Sequence, residues 1–177
     1  MSLSTIGHVL LALVLINTTD QSYAIVIKFE DVDVTYVNGE FVDENTFDIS
    51  VNYINATYST LRCKADVLKK FPEDTRIIAK LYGYAFGNYR VPMGLNVNTS
   101  TCDLKTKTMF MAPFITAIGG DLDKCGPDVG EYGNESFIPI NFSKLPSVFP
   151  ANKYLIDVEV SNNDLKIVQA QFFINLL

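Results

Sequence analysis

Histidine and tryptophan are almost missing from this 177-residue chain. There is no tryptophan, and the single histidine, His8, lies in the N-terminal segment that we interpret below as a signal peptide. Ser-His-Asp and Cys-His catalysis both need an imidazole that titrates near neutral pH. Zinc sites normally use histidine or four clustered cysteines, and the chain has three cysteines. We therefore expect no enzyme, no catalytic residue, no metal site and no cofactor.

Positive charge is scarce as well. Lys and Arg number 14 against 20 Asp and Glu, which gives a formal net charge of −6, and the chain has no basic cluster. Because nucleic-acid binding needs a cationic surface, we exclude it. The same deficit disfavours attraction of the whole protein to anionic lipid surfaces.

No apolar segment is long enough to span a bilayer, which takes about 20 residues. The apolar segment Val9–Ile16 is followed by polar residues and then by Ser22-Tyr23-Ala24, whose small first and third residues suit signal peptidase. This order predicts a signal peptide over residues 1–24, a secreted extracellular protein and one mature domain over residues 25–177. An uncleaved anchor is the alternative.

Cysteine occurs three times, at Cys63, Cys102 and Cys125. In an oxidising compartment an odd number leaves one pair and one further thiol. We expect a disulfide between Cys102 and Cys125, which would close a short loop. Cys63 lies in an alternating segment and is either a buried free thiol or a link to another chain.

Four N-x-S/T sequons follow the predicted signal peptide, and each lies near a predicted turn or strand end. They agree with export. The predicted glycosylation sites are Asn55, Asn98, Asn134 and Asn141.

Alternation of apolar and polar residues predicts β-strands over 25–37, 47–53, 61–67, 75–86, 91–97, 136–140, 154–160 and 165–176. Asn38-Gly39 is a hairpin turn signal. The strand over 75–86 is apolar on both faces and is therefore predicted to be central, whereas Pro92 predicts an edge strand or a bulge. The pattern predicts an all-β fold, an immunoglobulin-like β-sandwich or cup of antiparallel strands.

One short helical segment is predicted between Cys102 and Cys125. It is capped by Ser100 or Thr101, interrupted by Pro113 and ended by Gly119-Gly120. Its 3.6-residue spacing is carried by Leu104, Thr108, Met111, Ile115 and Ile118.

We expect this segment to lie over the β-scaffold as an apolar flap with a hydrophobic ligand beneath it. Methionine adapts to irregular ligands, and apolar clefts with few polar groups are typical of lipid sites. Core packing is the alternative for each residue. The predicted ligand-binding residues are Met93, Met109, Phe110, Phe114, Ile115, Ile118, Phe149 and Tyr154.

The C-terminal half resembles a group of secreted insect proteins. The resemblance is carried by Cys125-Gly126-Pro127, Gly130-Glu131-Tyr132 and PINFSKLPSVFPANKYLIDVEV, with IIAKLYGYAFGNYR upstream. That group is similar to ganglioside-activator-like lipid-recognition (ML) domains and includes the CheB-type chemosensory proteins. The resemblance implies a β-sandwich cup, a bridge between Cys102 and Cys125, and an apolar cavity between the sheets.

These observations predict a secreted, non-catalytic binder of a hydrophobic small molecule or lipid in a cavity between two sheets. A chemosensory role is one candidate, a membrane receptor is a candidate partner, and we expect a monomer. The alternative is an extracellular protein-interaction module without a ligand cavity, which would use Cys63 or an exposed aromatic edge as its contact.

Overall fold

Alternating apolar side chains form the β-strands of the computed structural model, which describes residues 26–107, 111–138 and 150–177 but not the side chains of residues 106 and 107. Within these ranges the strands are β1 (Ile27–Val37), β2 (Asp48–Tyr53), β3 (Ser59–Val67), β4 (Arg76–Ala85), β5 (Asn88–Ser100), β6 (Gly130–Phe137), β7 (Asn152–Asn162) and β8 (Leu165–Leu176). A 3₁₀ turn, Thr101–Asp103, leads into two short helices, α1 (Leu104–Lys107) and α2 (Met111–Ala117).

Two antiparallel sheets pack face to face. The large sheet has the strand order β1-β8-β7-β4-β5, and the small sheet has the order β2-β3-β6. Inward-facing apolar side chains of both sheets meet in a shared core, in which Phe29, Leu61 and Tyr154 are fully buried. Burial of the two inner faces against each other is what defines a sandwich, so the predicted fold class is confirmed.

A buried serine links the two sheets. Ser59 on β3 donates its hydroxyl proton to the carbonyl oxygen of Phe29 on β1 (2.9 Å) and accepts a hydrogen bond from the Phe29 N–H (2.8 Å). Because β1 is an edge strand, these backbone groups face away from their only neighbour in the sheet. The hydroxyl therefore satisfies groups that would otherwise be buried without partners.

The two predictions about β4 and β5 are confirmed. β4 lies between β5 and β7, as expected for a strand with two apolar faces. Pro92 lies on β5, which is an edge strand, and the pairing with β4 shifts register next to it, between Lys80 and Tyr82.

The interpretation of Asn38-Gly39 as a hairpin turn is wrong. β1 pairs with β8, and β2 pairs with β3, so the chain leaves one sheet after β1 and enters the other. The Asn38 carbonyl accepts from the N–H groups of Phe41 (3.0 Å) and Val42 (3.1 Å), and this turn redirects the chain. β1 pairs with the distant strand β8 because this pairing buries the apolar residues of β1 in the core.

The strand predicted over 136–140 begins earlier, because β6 spans Gly130–Phe137; residues 139 and 140 lie outside the described residues. Glycines made this stretch resemble a loop. A Cβ atom on Gly133 would lie 2.8 Å from the carbonyl oxygen of Cys63 on β3. Glycine is thus needed for close approach of the two strands.

The predicted signal peptide also lies outside the described residues. Within the described ranges, none of the helices has the length and apolar character needed to cross a membrane.

Candidate functional site

Residues 101–107 and 111–127, which we call the flap, cover the gap between the two sheets. Ser100 caps its 3₁₀ turn by accepting from the N–H of Cys102 (3.2 Å), as predicted. On α2, the ring of Phe114 packs edge-on against Phe137 of β6 (5.5 Å between ring centroids) and Phe172 of β8 (6.3 Å). One side chain of the flap therefore contacts both sheets.

Covalent and polar contacts hold the flap in place. Cys102 and Cys125 form the predicted disulfide, which joins its two ends. Behind α2, the Gly133 N–H donates to the Ile118 carbonyl (3.0 Å), and the Asn134 side-chain amide donates to the Ala117 carbonyl (2.9 Å). The flap is thus tied to β6 at the end of α2.

A cavity of about 180 Å³ lies between the two sheets and beneath the flap. Its walls are almost entirely apolar. The flap contributes Met111, Phe114, Ile115 and Ile118; the small sheet contributes Ile49, Cys63, Ala65, Val67 and Tyr132; the large sheet contributes Phe29, Ile77, Ile156, Val158, Val160, Val168, Ala170 and Phe172.

The polar side chains on the wall already have partners. Thr101 donates its hydroxyl proton to the Thr75 carbonyl (3.2 Å), and Lys124 pairs with Asp128 (2.5 Å). The Asp121 carboxylate accepts from the N–H of Asp123 (2.9 Å). Asp121 and Lys124 are themselves exposed, so the buried part of the wall offers no charged partner to a ligand.

Cys63 is a buried free thiol that faces the cavity. Burial, reinforced by the negative charge of Asp48, raises its pKa to about 12. The thiolate is the reactive form of cysteine, so the neutral thiol forms part of the apolar wall instead of serving as a nucleophile.

Three predicted ligand-binding residues, Phe114, Ile115 and Ile118, line the cavity together. Two others lie elsewhere. Tyr154 is buried in the core and donates its hydroxyl proton to the Pro150 carbonyl (2.8 Å). Met93 packs over Gly83, where a Cβ atom would lie 3.0 Å from its sulfur. Met109, Phe110 and Phe149 are outside the described residues, and ligand contact stays a prediction for the whole set.

Sequence reasoning missed the strand residues of the cavity wall. Three of them, Cys63, Ala65 and Ala170, are small, and their short side chains leave space that larger residues would fill. Small residues at inward positions of apolar strands were the available signal. The sequence does not show which inward position of one sheet faces which position of the other.

The described sequons differ in their surroundings. Asn55 and Asn98 are exposed, whereas Asn134 is half-buried and uses its amide to hold the flap. Asn141 lies outside the described residues. Glycosylation of all four stays a prediction.

No protein-family model matches the chain, and no curated protein matches it. Solved structures that are similar to it include the following two. Chicken MD-1 complexed with lipid IVa is 13% identical, with 86% of this chain and 91% of that chain covered and a TM-score of 0.31. A Niemann-Pick type C2 protein from the Japanese carpenter ant is 17% identical, with 84% and 90% covered and a TM-score of 0.30. Values this low assign the chain neither a family nor a ligand.

Proposed function

We propose that this protein binds a compact, neutral, hydrophobic small molecule in the cavity between its sheets and catalyses no reaction. The observation that carries the proposal is a cavity of about 180 Å³ whose polar wall groups are already paired. The alternative of a protein-interaction module predicts a filled core, so the cavity favours ligand binding.

The cavity volume limits the size of the ligand. A dry cavity of about 150 Å³ lined by Leu, Ile and Phe holds one benzene molecule. The cavity here is slightly larger, so it suits a ring or short chain of about six to ten non-hydrogen atoms by the same measure. A sterol or a long-chain lipid is larger than this space and would extend beyond it.

The expected affinity follows from the apolar area that leaves water. A ring that buries about 200 Å², as a buried aromatic side chain does, gains about 5 kcal/mol at 25 cal/mol per Å². That free energy corresponds to a Kd on the order of 0.2 mM before ordering costs.

The wider proposal rests on sequence features. It comprises cleavage after Ala24, a mature secreted domain over residues 25–177, N-glycans and a monomer. It also includes the ML-like insect relationship, with its chemosensory role and membrane receptor. Peptide mapping after enzymatic deglycosylation tests the glycans, and we expect Asn55 and Asn98 to be modified more fully than Asn134.

The test is native mass spectrometry of the protein secreted from insect cells, before and after organic extraction, followed by thermal unfolding with toluene, naphthalene or cholesterol. We expect toluene and naphthalene to raise Tm and cholesterol to leave it unchanged. Ala170→Leu, which fills the cavity, should abolish the rise. Ala85→Leu, away from the cavity wall, is the matched control. If no ligand raises Tm and no extractable mass is found, the proposal fails.

A further inference from the structure

Exposed apolar side chains are concentrated at one end of the sandwich. We call it the hairpin end; it comprises Val26, which precedes β1, Leu177, which follows β8, the β2–β3 turn and the β4–β5 hairpin. Of twelve exposed large hydrophobic residues in the described ranges, eight lie there: Val26, Tyr53, Ile54, Tyr58, Tyr84, Phe86, Val91 and Leu177.

Strand pairing brings these segments together. Leu176 is the register partner of both Ile27 and Asn152, and the Asn152 side-chain amide donates to the Tyr84 carbonyl (3.1 Å). From the small sheet, the Tyr53 hydroxyl donates to the carbonyl of Glu30 on β1. Both sheets therefore contribute to the hairpin end.

Phe86 at the tip of the β4–β5 hairpin is 92% exposed. Its φ is +51° and that of Gly87 is +82°, the signature of a type I′ turn, for which Asn-Gly is the preferred sequence. In the β7–β8 turn, the comparable left-handed position (φ +48°) is filled by Asn163. Phenylalanine thus occupies a strained position without burying its ring, and strain of this kind concentrates at functional sites.

The charge of this hairpin is opposite to that of the whole chain. Residues 81–95, which form the halves of β4 and β5 nearest the hairpin tip, contain no Asp or Glu and one Arg, Arg90, in a chain of net charge −6. The guanidinium of Arg90 lies 5.4 Å from the ring centroid of Phe86. At the same end, Glu30 is paired with Lys153 (3.0 Å). Whole-chain composition hides this local positive charge.

Stacked aromatic rings support the hairpin from behind. Tyr84 packs edge-on against Tyr89 (5.0 Å between centroids), and Tyr89 packs against Phe173 of β8 (5.3 Å). Such contacts fix the orientation of the hairpin on the sheet. Phe86 is therefore presented on a supported tip.

We propose that the hairpin end docks on the surface of a phospholipid bilayer. Phe86 enters the boundary between headgroups and acyl chains, the exposed tyrosines lie at headgroup level, and Arg90 contacts lipid phosphates. A bilayer suits this surface better than a protein does, because its exposed apolar residues are spread over separate turns and strand ends. Protein interfaces instead seat their anchors in well-packed pockets near the centre of the interface. The proposal does not depend on the cavity.

Co-sedimentation of the full secreted protein with phosphatidylcholine vesicles, with and without phosphatidylserine, tests this inference. We expect measurable partition that phosphatidylserine increases. Phe86→Asn should reduce partition about tenfold, since one buried aromatic ring is lost. The fold should persist in this variant, because asparagine tolerates the left-handed conformation. Arg90→Gln should remove the increase due to phosphatidylserine.

Leu68→Asn is the matched control, because Leu68 is 52% exposed but follows β3 at the opposite end of the sandwich. Its partition should equal that of the wild type. Absence of wild-type protein from the vesicle pellet would overturn the proposal. That result is expected if the hairpin end binds a protein partner instead of a bilayer. Equal partition of Phe86→Asn and wild type, or equal loss in the two asparagine variants, would overturn it too.

Discussion

Replacing Phe114 by alanine should have two effects. It should lower the free energy of unfolding, and it should let the cavity accept larger ligands. Phe114 lines the cavity and is the side chain of α2 that packs on rings from both sheets, Phe137 and Phe172. Its removal opens space next to an existing cavity. The flap itself should stay in place, because the disulfide and the two hydrogen bonds from β6 do not involve this side chain.

The expected loss of unfolding free energy in Phe114→Ala is the sum of two contributions. Each edge-on aromatic contact contributes about 0.5–1.5 kcal/mol. Phe114 is only partly buried, so its transfer term is about half of the 1.5–3 kcal/mol assigned to a fully buried side chain. Together these predict a loss of about 2–4.5 kcal/mol, which in a domain of this size lowers Tm by about 4–18 °C.

Urea unfolding followed by circular dichroism measures the first effect, and the slope m should stay unchanged. For the second, we expect Phe114→Ala to bind naphthalene more tightly than the wild type does and toluene less tightly. Phe173→Ala is the control, because this ring packs against Tyr89 away from the cavity wall. It should lower stability without changing the order of ligands. If the two variants bind both ligands alike, our placement of the ligand beneath the flap is refuted.

Three further predictions concern buried polar and sulfur groups. Ser59→Ala should lower the free energy of unfolding by about 2–3 kcal/mol in urea denaturation, because both backbone groups of Phe29 lose their partner. Reduction of the disulfide between Cys102 and Cys125, 23 residues apart, should lower it by about 3 kcal/mol; equal unfolding curves with and without dithiothreitol would contradict this. With its pKa raised to about 12, the Cys63 thiol should resist iodoacetamide at pH 8 in the native state and react once urea is added; rapid native labelling would show that it is accessible.

Local sequence patterns predicted the parts of this fold that depend on near neighbours. Strand alternation, the Ser100 cap and the end of the helical segment at Gly119-Gly120 all follow from contacts within a few residues. The glycine after the helix is required, since a Cβ on Gly120 would lie 2.9 Å from the Ile115 carbonyl oxygen. Such steric demands are visible in sequence because glycine alone satisfies them.

The strand pairing and the cavity lining that were not predicted depend on contacts between residues far apart in the sequence. Asn38-Gly39 has the sequence of a hairpin turn, yet β1 pairs with a strand more than a hundred residues away. The sequence also does not show that Met93 packs on Gly83 or that Tyr154 is enclosed in the core, and ligand contact by either residue stays a prediction. Cavity lining depends on the sum of side-chain volumes from both sheets, and no single strand carries that information.

The cavity wall and the hairpin end share no residue, so their two activities should be separable by mutation. Phe86→Asn should lose vesicle partition and keep the rise in Tm with toluene, whereas Ala170→Leu should do the reverse. Any remaining coupling must be reciprocal: if vesicles change the Kd for toluene by some factor, toluene must change vesicle partition by the same factor. Vesicle binding measured with and without saturating toluene shows whether the two sites are coupled. An unchanged partition would mean two independent sites, whereas a matching shift would mean that docking at the hairpin end alters the cavity and could load or release its ligand.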